Sequence, residues 1–282
     1  MGANFLIAVA ATLLLQSSQS NPTTQPKQNS QRSDTLWSDD SEPGFGFERL
    51  SDLAQYNRVQ GLSLGAGYHL PLSRTQQTNL YATIRYGLSD ERITGRLSVL
   101  SGGSRRRLIL SGYDDIADID PFSAGRNLTN SFNALFVAHD NGDYLLARGG
   151  SARLEAAAGP GLELVVSGGV ERQSSLRRTA ESEVNDFLGG TGSFPLNPGV
   201  TEGTFGLVSA GLRSVRRVRW QVTVDLVAGA GQATPRLFGE IRRHLGWLQG
   251  ITLKGKAGIG TSPGLPQTLF RLGGLNTVRG FE

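Results

Sequence analysis

The sequence predicts an all-β fold, an antiparallel β-barrel that spans a membrane. Apolar and polar residues alternate with period two in segment after segment, and several of these segments reach ten to fifteen residues. A membrane-spanning strand needs about nine to eleven residues, whereas soluble sandwiches commonly use about five or six. A soluble β-sandwich and a β-solenoid are the alternatives, and the sequence has no fixed repeat of the kind that a solenoid requires.

The composition agrees with this class. Hydrophobic residues make up only 38% of the 282 residues, which suits a barrel in which every second strand residue faces lipid. The absence of cysteine excludes disulfides, thiol catalysis and cysteine-based zinc sites. The net charge is only +4, and the basic residues are scattered. This charge pattern predicts no nucleic-acid partner.

The N-terminal region is predicted to precede the barrel. Residues 1–20 are predicted to be a signal peptide, because the apolar run from Phe5 to Leu15 is followed by small polar residues up to Ser20. No Lys or Arg precedes this run, and the alternatives are a fragment edge or a buried strand. Residues 21–50 are predicted to be a flexible polar lead-in, and residues 51–282 the barrel domain.

Eleven strands are predicted from the alternation. The clearest is near 217–229, where Val218, Trp220, Val222 and Val224 share one face. The predicted strands are 56–70, 79–88, 91–100, 106–113, 131–139, 143–158, 161–177, 204–216, 217–231, 236–247 and 250–261.

The predicted connections differ in length at the two ends of the strands. Those at 89–91, 159–161, 214–216 and 248–250 are tight, and those at 71–78, 178–203, 232–235 and beyond 261 belong to the other end. The connection 114–130 is an exception, because it is long and acidic. Short turns at one rim and longer loops at the other are typical of outer-membrane barrels, with the short turns in the periplasm.

The polar residues of the strands predict a hydrated lumen and no enzyme. The charged residues assigned to the inner face are Arg85, Arg96, Arg153, Glu155, Glu163, Glu171, Arg219, Asp225, Lys254 and Lys256. We interpret Asp114, Asp115, Asp118 and Asp120 as a solvated acidic turn, with a calcium site as the alternative. The histidines His69, His139 and His244 lack ligand spacing, so neither a metal nor a cofactor is expected.

The last twelve residues carry a resemblance to a known family. The motif residues are Gly273, Gly274, Val278, Arg279, Gly280 and Phe281. They resemble the sixth extracellular loop of the BamA-type surface-antigen superfamily, in which this loop joins strands eleven and twelve of sixteen. Eleven predicted strands precede the motif, and 56–62 also resembles the first strand of some members. The chain would then be a fragment that shows about eleven of sixteen strands.

The resemblance implies a bacterial outer-membrane protein that assembles other barrels or translocates polypeptides. Its partners would be outer-membrane lipid and unfolded outer-membrane or secreted polypeptides. Arg279 would pair with acidic groups inside the lumen, Gly280 would allow the turn, and Phe281 would pack on the wall. The alternatives are a barrel that anchors an enzymatic or binding module encoded upstream, and a passive pore.

Overall fold

One antiparallel sheet of twelve strands dominates the protein. The computed structural model describes residues 43–46, 50–73, 75, 77–103, 105–120, 128–190, 192–214, 216, 218–244, 252–261 and 264–270. Within these residues each long strand pairs with the next along the chain, which confirms the all-β, antiparallel class. The two ends of the described sheet, β1 and β12, are not paired with each other, so the described part is an open sheet.

Ten long strands and two short ones form this sheet. The short strands are β1 (Gly44–Phe45) and β2 (Ala54–Asn57). The long strands are β3 (Gly61–Ser73), β4 (Thr78–Gly87), β5 (Ile93–Gly102), β6 (Arg106–Asp118), β7 (Tyr144–Gly159), β8 (Leu162–Ser175), β9 (Gly203–Ser214), β10 (Val218–Gly229), β11 (Gln232–His244) and β12 (Thr252–Gly260). The helices are α1 (Leu50–Leu53), α2 (Leu128–Val137) and α3 (Glu183–Phe187), and a 3-10 turn covers Pro266–Thr268.

The predicted strand 131–139 is wrong, because residues 131–137 belong to helix α2. Its buried residues are Asn130, Ser131, Ala134 and Leu135, and this spacing is that of one helical face. The helix packs against β2 and α3, which lie far from it in the sequence. Tertiary contacts of this kind override the weak helix propensity of a segment rich in Asn, Ser, Thr and Phe.

The predicted strand 56–70 is divided in the structure into β2, a turn at 58–60, and β3. The Asn57 side chain accepts hydrogen bonds from the backbone amides of Val59 (2.9 Å) and Gln60 (2.7 Å). An Asn side chain that bonds the backbone two residues on is a common turn-forming arrangement. The chain therefore reverses here.

With these corrections, each connection between strands can be assigned to one of the two rims of the sheet, and the two rims differ in connection length. One rim, the short-turn rim, carries the connections 74–77, 103–105, 160–161, 215–217 and 245–251. The other, the long-loop rim, carries 88–92, 119–143, 176–202, 230–231 and the segment after β12. Without the false strand 131–139, the connection predicted at 71–78 lies at the short-turn rim, and the turn predicted at 89–91 lies at the long-loop rim. The long acidic exception disappears, because Asp114–Asp118 continue strand β6 and the long connection 119–143 lies at the long-loop rim.

Strands β1 and β2 pair with the same edge of β3 and together form one interrupted strand. Both run antiparallel to β3, with Gly44 opposite His69 and Asn57 opposite Gly61. Helix α1 lies between them and over Gly65, where a Cβ atom would collide with the Asp52 carbonyl oxygen. The chain thus runs along this edge toward the long-loop rim and returns in β3.

The two faces of the sheet differ in chemistry. The apolar face carries large exposed side chains, among them Ile84 (55% exposed), Val170 (58%) and Ile259 (68%). Among the described strand residues, charges on this face lie only toward the strand ends. They are Arg106 and Arg243 near the short-turn rim, and Asp114, Asp118, Arg148 and Arg172 toward the long-loop rim. The opposite face, the polar face, carries most of the charged strand residues.

Candidate functional site

The motif residues predicted from the resemblance lie outside the described part of the chain. These are Gly273, Gly274, Val278, Arg279, Gly280 and Phe281. The predicted signal peptide 1–20 lies outside it as well, and the predicted lead-in 21–50 contains β1. The candidate site is therefore built from two described features, a cap on the long-loop rim and the charged polar face.

The long-loop rim is covered by what we call the rim cap, made of residues 54–60, 128–143 and 176–202. Its apolar centre is a cluster of Tyr56, Ala134, Leu135, Ala180 and Phe194. The Tyr56 hydroxyl also donates a hydrogen bond to the Glu181 carbonyl oxygen at 2.5 Å. Three segments that are distant in the sequence thus share one small core.

Asp140 is the polar hub of the rim cap. Its carboxylate accepts hydrogen bonds from the Arg58 backbone amide (2.8 Å), the Asn130 side-chain amide (2.7 Å), the Gly142 backbone amide (2.9 Å) and the Tyr144 hydroxyl (2.9 Å). Asp140 is 4% exposed, so these bonds replace water around a buried carboxylate. The hub joins the turn at 58–60 to helix α2 and to the start of β7.

The rim cap also brings distant strand ends together. Val59, two residues before β3, packs with Ile116 of β6, Tyr144 of β7 and Leu176, which directly follows β8. In a flat sheet β3 and β8 would be about 24 Å apart, at about 4.8 Å per strand. Their ends converge instead, so the sheet is strongly curved.

Sequence reasoning missed this hub, and a local signal was present. Asp140-Asn141-Gly142 is a run of turn-forming residues, which indicates a tight turn directly before β7. Arg58 belongs to the predicted strand 56–70. In the structure its side chain is 3% exposed and pairs with Asp143. A buried arginine needs such a partner, but the partner lies 85 residues away.

The polar face carries a connected set of ion pairs near the short-turn rim. Glu155, only 6% exposed, lies 2.7 Å from Arg107, 2.8 Å from Arg153 and 3.5 Å from Arg213. Glu163 pairs with the same Arg213 at 2.7 Å. The predicted inner-face residues Arg153, Glu155 and Glu163 therefore lie together, where their charges compensate one another.

Other predicted inner-face residues also have partners on the polar face. Arg85 pairs with Asp52 of α1 at 3.0 Å, and Arg96 lies 3.8 Å from Asp115. Glu171 accepts a hydrogen bond of 2.6 Å from the Tyr113 hydroxyl. Asp225 pairs with Arg236 at 2.6 Å.

The aspartates predicted to form one acidic turn do not converge. Asp114 pairs with Arg148 on the apolar face at 2.5 Å, whereas Asp115 faces Arg96 on the polar face. His69 bonds to Asn79, and His139 bonds to Asn141. No group of three His, Cys, Asp or Glu residues that could hold a metal occurs in the described ranges.

A cleft of about 410 Å³ lies at the long-loop rim beside the turn between β4 and β5. Val59, Asp90, Arg92, Leu176 and Thr179 are among its lining residues. The Asp90 side chain is 7% exposed and lies 3.8 Å from Arg92. Loss of hydration on burial raises the pKa of Asp90, and the hydrogen bond from the Arg92 backbone amide opposes this effect.

No helix in the described residues has the length and apolar character needed to cross a membrane.

Comparisons with known proteins give one family. Residues 30–192 match the model of the C-terminal domain of a family of unknown function, DUF5686. No curated protein matches this chain, and no solved structure matches it.

The resemblance to the BamA-type surface-antigen superfamily is wrong, since the family model that matches is a different one. Its support was a short Arg-Gly-aromatic motif and an agreement in strand number. That agreement depended on eleven strands, one of which is helix α2. The family match covers more than half of the sequence, from the lead-in through α3, and the chain belongs to the DUF5686 C-terminal domain family, a family of unknown function.

Proposed function

We propose that this chain is the membrane-embedded part of an outer-membrane β-barrel, with its apolar face toward lipid. One observation carries the proposal: the apolar face has an uncharged belt across the middle of all ten long strands. On β8 the uncharged stretch runs from Leu162 to Val170, about 26 Å along the strand at about 3.3 Å per residue. At the usual strand tilt of about 40° this length gives a height of about 20 Å along the membrane normal. Outer-membrane barrels have a lipid-facing apolar band about 25 Å tall.

The exposure of this belt supports lipid rather than water as its surroundings. Ile84, Leu97, Val170, Val208, Val224 and Ile241 are each at least half exposed and lie on β4, β5, β8, β9, β10 and β11. Monomeric soluble proteins rarely expose a continuous apolar patch larger than a few hundred Å². The compensated charges of the polar face suit a hydrated interior, because ion pairs in contact with water avoid most of the desolvation cost.

The arrangement of the rims supports an outer-membrane orientation. All connections at the short-turn rim have at most seven residues, whereas 119–143 and 176–202 lie at the other rim. Strand β1 comes from the direction of the short-turn rim, which is where the chain of an outer-membrane barrel begins, in the periplasm. We place the protein in a bacterial outer membrane on this basis, with lipid as its partner.

Within this setting we propose an anchoring role, in which the barrel holds a partner module at the membrane. Val200 of the rim cap packs on Leu145 and Ala147 of the polar face, near its long-loop end. Leu265 packs in the same way on Phe205 and Val227. This cover over the polar face argues against a passive pore. Assembly or translocation of polypeptides is a second candidate. It is favoured by the weak edge of β3, where β1 contributes two paired residues and β2 four. Such an edge can pair with a strand from another polypeptide.

The test is membrane fractionation with a matched pair of variants. The wild-type protein should sediment with outer membranes and dissolve only in detergent. Val166→Lys puts a charge in the apolar belt and should destabilise the embedded protein by about 2–4 kcal/mol. Ser167→Lys, its neighbour on the polar face, should change stability much less. Wild-type protein recovered as a soluble monomer, or equal effects of the two variants, would refute the proposal.

A further inference from the structure

Two adjacent rows of residues cross the polar face near the short-turn rim. The first row, the balanced row, runs across five neighbouring strands from β8 to β12, and its members pair in register. They are Glu163, Arg213, Gln221, Glu240 and Lys256. Two acidic and two basic residues flank one amide, so this row is neutral.

The second row, one step nearer the short-turn rim, has only positive charges. Arg219 of β10 is the register partner of Arg242 of β11, and Arg242 is the register partner of Lys254 of β12. We call these three residues the basic row. Opposite charges placed directly across a strand pair stabilise a sheet, and like charges there destabilise it. The balanced row follows this rule and the basic row breaks it.

Within the described residues, the two arginines of the basic row are not neutralised by their surroundings. Arg219 is half-buried and has no ion-pair or hydrogen-bond partner within the described ranges. Arg242 approaches Glu240 of the balanced row only to 3.7 Å, and both side chains are 40% exposed. Like charges that lie side by side without a counter-charge lower stability. Such a violation is expected at a functional site, where a bound ligand supplies the opposite charge.

We propose that the basic row is a binding site for a phosphate-bearing anion. Neighbouring strands are about 4.8 Å apart, so the row spans about 10 Å, which suits a ligand with two linked phosphate groups. The planar arginine fork donates two parallel hydrogen bonds to a phosphate, and a phosphate carries more charge than a carboxylate. The proposal depends on the proposed function in one respect only, which is that water and soluble anions reach the polar face.

The experiment titrates pyrophosphate into the full chain in a neutral detergent, with binding followed by calorimetry. Arg219→Gln should weaken binding about tenfold, which corresponds to about 1.4 kcal/mol. Arg219→Lys should restore only part of the affinity, because an ammonium group lacks the fork. Arg106→Gln removes the same charge at the same rim on the apolar face, and it should leave affinity unchanged.

A stability measurement separates loss of the site from loss of the fold. Arg219→Gln should melt at the same or a higher temperature than wild type without ligand, because like-charge repulsion falls. Pyrophosphate should raise the melting temperature of wild type and much less that of the variant.

A second arm identifies the source of the phosphate. The protein is placed in neutral lipid nanodiscs with or without phosphatidic acid, whose headgroup carries the same phosphate chemistry. Stabilisation by phosphatidic acid alone assigns the site to a lipid headgroup, and stabilisation by pyrophosphate assigns it to a soluble anion. No binding in either arm, or equal binding by Arg219→Gln, overturns the proposal. Both arms can be read whichever cellular fraction contains the protein, so they fail independently of the fractionation test.

Discussion

The sheet and the rim cap are stabilised in opposite ways. Each pairing between successive strands from β3 to β12 repeats the same backbone ladder, with 8 to 14 residue pairs per neighbour. The rim cap instead depends on a few side chains that join positions 75 to 125 residues apart, such as Tyr56 with Ser131 and with Glu181. The stability of the sheet therefore comes from many similar contributions, whereas that of the cap depends on a few side chains.

The largest effect that follows from this contrast is expected at the hub of the cap. Asp140→Ala would leave four donors without an acceptor in a buried site, and each such loss costs about 1–3 kcal/mol. We expect the cap to lose about 3 kcal/mol or more of local stability. Amide hydrogen exchange at 54–60 and 128–143 should accelerate, while circular dichroism still shows the sheet.

Asp186→Ala, in the exposed helix α3, is the control for this experiment. It removes the same kind of side chain from the same cap without touching the hub. Slow exchange retained at 54–60 in Asp140→Ala would show that the hub does not hold the cap.

A smaller effect is expected from a single cross-strand bond in the sheet. Ser98 and Ser111 share a hydrogen bond of 2.8 Å between β5 and β6. Ser98→Ala should lower the free energy of unfolding by about 1 kcal/mol, because the backbone ladder around it remains. Denaturant titration of both variants is the comparison. A loss for Ser98→Ala as large as that for Asp140→Ala would contradict this distinction between the sheet and the cap.

The smallest effect, of opposite sign, is expected at Asp90, where the sheet meets the cap. Because burial raises the pKa of Asp90, the folded protein binds this proton more tightly than the unfolded chain does. The contribution of Asp90 to stability therefore falls as pH rises through the folded pKa. Asp90→Asn should raise the denaturation midpoint at pH 7 and leave it unchanged at a pH below the normal carboxyl range. A lower midpoint at pH 7 would show that the charge itself stabilises the turn.

The same contrast explains what could be predicted from the sequence. Alternation with period two is a local signal, so β4, β5, β7, β8 and β10 were each predicted to within about three residues. The continuation of β6 to Asp118 was missed because Asp114, Asp115 and Asp118 indicate a loop by composition, while in the structure Arg148 and Arg96 compensate two of them.

The rim cap could not be predicted in this way. Helix α2 gains its stability from β2 and α3, and Asp140 from Arg58 and Tyr144. These partners are defined only after the strand ends have converged. The basic row is similar, since the alternation placed Arg219 and Lys254 on the polar face, but the register that sets them in line through Arg242 depends on turn lengths.

The next-neighbour order of the strands has a consequence for how the protein folds. Each strand from β3 to β11 pairs with the one that follows it, so most hairpins can form by short loop closures and add to one another in sequence. Only the pairs β6–β7 and β8–β9 must close the longer connections 119–143 and 176–202. The cap joins residue 58 to residue 179, and closing such a long loop costs more conformational entropy. We expect the hairpins to form first and the cap to close last, once the chain as far as α3 has already been arranged.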